Sequence, residues 1–266
     1  MPTRRCSRPA PPVRAWRSPL AVRLTSRAVS RRHPIVLLAL LVVPVLASCG
    51  RTVSTDVRGG VLTVYSASAL TGPQAKVGRA LVTGEKLALG LRRGAVGDLL
   101  VKYVALDSAR GARSGFDPTV VTNNAQTVVG DSSAIAYLGD AAPGATRVSL
   151  PILSAEQIAV LSPTDPNRTL MAPAGGRPAD TYVRGVRTGY SLAPLSDAKV
   201  WALAGPRFRA QFRRAFGSAP SAGAARGFVA MNLVLDAVKA AGKQGGDRFG
   251  VTTALGPVVQ RALRQG

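Results

Sequence analysis

Side chains able to do acid–base or metal chemistry are sparse in this sequence. The one histidine, His33, and one of the two cysteines, Cys6, lie in an arginine-rich head. The other candidates for proton transfer are scattered carboxylates: Asp107, Asp117, Asp140, Glu156 and Asp165. Carboxylates spread over loops are more typical of helix caps and solvated surface than of catalytic pairs. We therefore expect no enzyme, no metal site and no cofactor.

The second cysteine, Cys49, has a chemistry of its own. It follows an apolar run at residues 35–47, which is too short to cross about 30 Å of hydrocarbon and suits the core of a secretory signal peptide. The ending Leu46-Ala47-Ser48-Cys49 resembles the lipobox of bacterial lipoproteins. That resemblance implies cleavage before Cys49, a diacylglycerol on its thiol and further acylation, such as palmitate, on its amine. The alternative is a small buried hydrophobe.

The expected location follows from that cleavage. Residues 1–48 form a signal peptide with a long basic head, and residues 49–60 form a lipid-anchored tether. The mature chain would then lie on the extracytoplasmic face of the cell membrane. The mature chain would keep only Cys49 and could therefore form no internal disulfide.

The positive charge narrows the choice of partner. The formal net charge is +22, and loss of the nine arginines before Cys49 lowers it to +13. The remaining arginines are scattered, apart from the group Arg207, Arg209, Arg213 and Arg214. They lack the interleaved aromatic residues that stack nucleic-acid bases. The composition suits an anionic membrane or cell wall, and we expect no nucleic-acid partner.

Apolar periodicity predicts an α/β fold. Compact apolar runs at residues 61–66, 99–106, 134–138 and 158–161 predict four strands. Helical spacings lie between them, each with a predicted buried face: Val77, Leu81, Gly84, Ala88 and Leu91; Val121, Ala125 and Val128; Val148, Ile152 and Ala155. Alternating strands and helices predict βαβ units around a parallel sheet.

The pattern changes after Ser162. Residues 163–178 are rich in proline and glycine and are predicted to form a loop. Helices follow, one with Phe208, Phe212 and Ala215 on its buried side, one at residues 222–241 and one starting at Asp247 or Thr252. We expect no strand in this C-terminal third.

These segments together resemble the leucine/isoleucine/valine-type periplasmic binding proteins of branched-chain amino-acid ABC importers. The resemblance rests on Val64-Tyr65-Ser66 with Leu70-Thr71-Gly72-Pro73, on residues 134–139, on Leu161-Ser162-Pro163, and on the helices from Phe208 to Gly242. It implies the type 1 periplasmic binding protein fold, in which two α/β lobes hold a small solute between them. The implied partners are an amino acid or analogue, an ABC permease, and the membrane through the lipid anchor.

The resemblance also implies which residues contact the solute. They follow the first, third and fourth predicted strands: Leu70, Thr71, Gly72, Asp140, Ala141, Ala142, Ser162 and Thr164. Backbone N–H groups and hydroxyls would receive a carboxylate there. Asp140 either meets a ligand ammonium group or caps the following helix.

The sequence departs from the family pattern in two ways. Only 42 residues, 163–204, stand where the second lobe would lie, and a lobe needs on the order of 100 residues. Residues 61–162 therefore form a first lobe, 163–204 a shortened remnant or linker, and 205–266 helices that close on the first lobe. The second departure is at the site, where Ala142-Pro143 replaces a serine and Val77 replaces an aromatic wall.

Two functions follow from these observations. The first is a lipid-anchored solute-binding protein of an ABC importer, for a branched-chain-like amino acid or a related small polar ligand. The alternative is a single-lobe envelope lipoprotein that acts as a protein-interaction module, since a deleted lobe would leave apolar surface exposed.

Overall fold

Six strands form one mostly parallel sheet at the centre of the structure. The computed structural model describes residues 56–57, 59–112, 115–167, 170, 182 and 185–265, which belong to one compact unit. The strands are β1 Val61–Ser68, β2 Ala95–Val96, β3 Leu99–Asp107, β4 Ala134–Leu138, β5 Ala159–Ser162 and β6 Gly189–Ser191.

The strand order creates a crevice at one edge of the sheet. The order is β2-β3-β1-β4-β5-β6, and only the short β2–β3 pair is antiparallel. From β1 the chain moves to β3 on one side and then crosses back to β4 on the other. Such a reversal leaves room for a ligand beyond the carboxyl ends of the two strands that flank it.

In the described part of the chain, seven α-helices cover the two faces of the sheet. They are α1 Ala75–Leu91, α2 Pro118–Gly130, α3 Thr146–Ala155, α4 Asp197–Ala204, α5 Phe208–Phe216, α6 Ala222–Ala240 and α7 Arg248–Gln265, and a short 3-10 turn, Gly242–Gln244, joins the last two. The helices α2 and α3 bury apolar residues on one face. The helices α1 and α4 to α7 form the larger core on the other. The C-terminal helices therefore pack on the same face of the sheet as α1.

Glycines bring α1 and α6 into close contact. A Cβ atom on Gly84 would lie 1.9 Å from the carbonyl oxygen of Ala224, and one on Gly227 would lie 2.1 Å from that of Leu81. Real side chains do not approach so closely, so each backbone occupies the space that a Cβ atom would fill. The contact links the N-terminal helix of the lobe to its C-terminal helices.

The α/β class predicted from the sequence is confirmed, and the four predicted strands correspond to β1, β3, β4 and β5. The predicted face of α2 is also confirmed, because Val121, Ala125 and Val128 are fully buried. Asp117 caps this helix by accepting hydrogen bonds from the N–H groups of Thr119 and Val120.

Several predicted helix faces were wrong at their margins. In α1, Val77 and Leu91 are 52% and 46% exposed, because they lie in the end turns, where the core no longer covers them. In α5, Ala215 is exposed. The helix α3 buries Ser149, Leu150 and Leu153 instead of the predicted set Val148, Ile152 and Ala155. Ser149 belongs to the buried face. The face was not recognised from the sequence, because periodicity analysis assigns polar residues to the solvent side of a helix.

The described end of the segment 163–204, from residue 185 onward, belongs to the same sheet and the same helix layer as the rest of the chain. Its strand β6 pairs in parallel with β5, and its helix α4 packs against α6, so both extend the first lobe. The prediction of no strand here was wrong, because three residues are too few for a periodic signal. Within the described part of the chain, no second sheet faces the first.

Candidate functional site

A cleft of about 400 Å³ lies at the carboxyl ends of β1 and β4. This is where the strand order reverses, the usual ligand position in open α/β sheets. Its lining is small and mostly apolar: Ala69, Gln74, Val77, Gly78, Gly115, Ala141, Ala142, Pro143 and Thr164. Three of the sequence-predicted residues, Ala141, Ala142 and Thr164, thus lie together in its wall. No charged side chain is found among these lining residues.

The loop after β1 is held by Asp107 at the end of β3. Its Oδ1 atom accepts from the N–H of Leu70 at 2.9 Å, and its Oδ2 atom accepts from the hydroxyl of Thr71 at 2.6 Å. Burial raises the pKa of Asp107, but the hydrogen bonds from Thr71, Ala109 and Leu70 outweigh it and hold the pKa below its usual range. Two of the polar groups predicted to receive a ligand, the N–H of Leu70 and the hydroxyl of Thr71, are therefore already bonded. Gly72 is exposed at the tip of this loop, with a φ of 71°.

Asp140 lies under the cleft and does not face it. The side chain is fully buried, and it accepts from the hydroxyls of Tyr137 at 2.8 Å and Ser149 at 2.5 Å. Burial raises its pKa to about 6, against the effect of these hydrogen bonds. The predicted cap was wrong, because the carboxylate accepts from two buried hydroxyls and not from the backbone N–H groups of α3. Contact between Asp140 and a ligand ammonium group stays a prediction.

Asp165 does the capping that was assigned to Asp140. It accepts from the N–H groups of Gly144 at 3.0 Å and Thr146 at 3.3 Å, and from the hydroxyl of Thr146. The first turn of α3 is thereby fixed to the loop after β5. The sequence placed Asp165 among the loop carboxylates typical of caps but did not assign it to α3, because a cap supplied from 21 residues away leaves no local signal.

The predicted hydroxyl ligands serve the backbone of the same loops. Ser162 donates to the carbonyl oxygen of Asp140 at 2.7 Å and accepts from the N–H of Asp165 at 2.9 Å. Thr164 donates to the carbonyl oxygen of Ala141 at 2.6 Å. Ser162 is fully buried, whereas Thr164 is half-buried at the cleft wall. These bonds connect the loops after β4 and β5 and shape the cleft.

One arginine is bonded to the loop after β1. Arg79, which is exposed, donates through Nε and one terminal nitrogen to the carbonyl oxygen of Leu70. The described residues contain no group of three or more side chains able to hold a metal ion. The described residues that line the cleft can enclose a small molecule, but they include no charged side chain to pair with it.

The lipid-anchor prediction lies outside the described residues, since Cys49 and the preceding head are not among them. None of the helices that the structure describes is both long and apolar enough to span a bilayer.

Comparison with known proteins gives the fold. The sequence matches no family model and no curated protein. Several solved structures are similar. One is the branched-chain amino acid transporter substrate-binding protein LivJ from Streptococcus pneumoniae, in complex with isoleucine. It is 13% identical, with a TM-score of 0.52, covering 73% of this chain and 87% of that one. The fold is that of the type 1 periplasmic binding proteins.

Two further solved structures with a similar fold are named for different solutes. The leucine-binding protein LivK from Thermotoga maritima is 13% identical, with a TM-score of 0.51, covering 73% of this chain and 87% of that one. A solute-binding protein from Rhodopseudomonas palustris BisB5, in complex with 3,4-dihydroxybenzoic acid, is 13% identical. Its TM-score is 0.53, and the match covers 74% of this chain and 85% of that one. These neighbours are ligand-binding transporter components rather than enzymes.

Proposed function

We propose that this chain is a lipid-anchored solute-binding protein of an ABC importer, tethered through Cys49 outside the cytoplasm. The observation that carries the proposal is the cleft at the β1–β4 switch point of a type 1 fold. The permease and the lipid anchor are parts of the proposal. They are supported by the fold and by the lipobox-like sequence.

The lining of the cleft favours an uncharged solute over an amino acid. A zwitterion needs partners for both an ammonium and a carboxylate group, and burying a charge without a partner is costly. Here Leu70, Thr71 and Ser162 direct their polar atoms to the protein itself, and Asp140 lies beneath the surface. A small aromatic or aliphatic molecule with one or two hydrogen-bonding groups fits this wall better. The branched-chain-like amino acid stays a prediction from the sequence.

Isothermal titration of a chain that begins at Gly50 tests the proposal. The panel contains leucine, isoleucine, benzoate, benzamide and a small aliphatic amide. We expect heat from the uncharged aromatic or aliphatic compounds, and uniformly flat traces would contradict solute binding. Ala142→Phe fills the cleft and should abolish the signal. Ala198→Phe, on the exposed start of α4, is the matched control and should keep it.

A second candidate function is the protein-interaction module. It is favoured by the open cleft, which no second sheet covers within the described residues. At this cleft the apolar side chain of Val77 is 52% exposed. Light scattering on the chain without its lipid tests one form of it, dimerisation through this face. A monomer at high concentration argues against dimerisation, and a dimer that Val77→Glu dissociates supports it.

A further inference from the structure

The solvent side of α5 carries positive charge that solute binding does not use. Arg209, Arg213 and Arg214 are exposed on this helix, and Arg207 is exposed directly before it. No acidic residue occurs in the chain between Asp197 and Asp236. The four arginines therefore form a surface that local carboxylates do not balance.

The four arginines have no ion pair within the described part of the chain. Asp197, the nearest acidic residue before this stretch in the chain, forms an ion pair with Arg226 at 2.9 Å and not with any of the four arginines. Arg209 lies 4.4 Å above the ring of Trp201, which fixes its position at the surface. Like charges four residues apart, as at Arg209 and Arg213, destabilise a helix. Such repulsion is relieved when an anionic partner binds.

An exposed aromatic residue adjoins the arginines and narrows the class of partner. Phe216 ends the helix, is 41% exposed and packs on the buried ring of Phe212 at 4.8 Å between ring centres. Basic residues beside an exposed phenylalanine are typical of helices that lie at a membrane interface, where the ring enters the boundary of the acyl chains. A nucleic-acid backbone would use the arginines but would not need the ring.

We infer that Arg207, Arg209, Arg213, Arg214 and Phe216, here called the α5 surface, bind an anionic phospholipid bilayer. The geometry of the predicted tether permits this contact. The N–H of Val57 donates to Gly246, just beyond the C-terminal end of α6, whereas α5 leads into the N-terminal end of α6. The helix α6 is about 28 Å long. The eight residues from Cys49 to Val57 also span about 28 Å when extended, so the tether is long enough to reach from one end of α6 to the other.

Vesicle sedimentation tests this inference without the lipid anchor. A chain that begins at Gly50 is mixed with vesicles of phosphatidylcholine alone or with 30% phosphatidylglycerol, at about 50 and 300 mM salt. We expect binding only to the anionic vesicles, with loss at high salt. Replacing the four arginines by glutamine should weaken binding at least about tenfold, since each basic residue near an anionic surface contributes appreciably. No binding to anionic vesicles would overturn the inference.

Two controls separate the α5 surface from net charge and from other polyanions. Lys86, Lys102, Arg261 and Arg264 are exposed elsewhere, so their replacement by glutamine removes the same charge and should change binding by less than about threefold. Phe216→Ser should weaken vesicle binding and leave binding to duplex DNA unchanged. An equal loss in both quadruple variants, or tighter binding to DNA than to vesicles through the same arginines, would count against a bilayer.

Discussion

Glu85 is a carboxyl group in the apolar core between α1 and the sheet. It is fully buried, its Oε2 atom accepts from the hydroxyl of Tyr103 at 2.5 Å, and its Oε1 atom has no hydrogen-bond partner. Burial raises its pKa to about 7, although the hydrogen bond from Tyr103 opposes the shift. The folded protein therefore favours the protonated group.

The free energy of unfolding should depend on this group between its two pKa values. The folded state holds the proton up to about pH 7, whereas the unfolded chain releases it near pH 4.5. Stability from this group is complete below pH 4.5 and falls as the pH rises to about 7, by roughly 3 kcal/mol in total. Urea unfolding between pH 4.5 and 8 measures the fall.

Glu85→Gln isolates this effect, because an amide cannot titrate. The difference in unfolding free energy between variant and parent should grow in favour of the variant as the pH rises from 4.5 to 7. Asp140, whose pKa is raised to about 6, contributes in the same direction to both proteins and cancels in the difference. A difference that does not change with pH would contradict the assignment.

Asp165 gives a second prediction for a single residue. Its replacement by alanine leaves the N–H groups of Gly144 and Thr146 without their acceptor under a buried loop, and should cost about 2–4 kcal/mol of unfolding free energy. Asp117→Ala removes a cap from α2 that is more exposed, and should cost about 1 kcal/mol. Denaturant titration compares the two variants, and equal costs would contradict the buried role of Asp165.

The sequence could identify residues near the site but not the partners of their polar atoms. Ala141, Ala142 and Thr164 lie in the cleft as the resemblance implied. Whether a hydroxyl such as that of Ser162 faces a ligand or a carbonyl group depends on the path of a neighbouring loop. That path is set by contacts more than 20 residues apart, which local spacing does not encode.

At the scale of elements, the glycine contact between α1 and α6 makes a sharp prediction. Gly84→Ala or Gly227→Ala places a methyl group about 2 Å from a backbone oxygen, so the two helices must separate. Each change should cost about 3 kcal/mol or more. Gly90→Ala is the matched control in α1, where a Cβ atom meets nothing within 4 Å. It should stabilise by about 0.5–1 kcal/mol, and thermal unfolding distinguishes the three variants.

Elements were predictable where burial and periodicity agree. The strand β4 is apolar throughout and its bounds were predicted correctly. The two-residue strand β2 and the three-residue strand β6 were missed, because their pairing comes from neighbours in space and not from their own composition. The helix α4 was not predicted either. It follows the proline-rich segment, and its eight residues are too few for a clear periodic pattern.

At the scale of the whole molecule, the single sheet predicts one cooperative unfolding transition. The residues of α1, α4, α5, α6 and α7 share one core with the sheet, so neither end of the described chain has an independent core on that side. Calorimetry on the chain from Gly50 should give a calorimetric enthalpy equal to the van't Hoff enthalpy. Two resolved transitions would reveal a second folding unit and contradict the single-lobe description.

The helix that covers α1, α6, is made late in synthesis, and this order bears on the export proposed for this protein. Arg92, which directly follows α1, donates to Asn232 in α6, a partner 140 residues later in the chain. The buried side of α1 stays uncovered until α6 has been synthesised, and contacts of such separation form slowly. The export proposed above from the lipobox-like sequence requires an unfolded chain if it follows the general secretory route. On that proposal, the topology that closes this lobe would keep the newly made chain unfolded until it reaches the membrane.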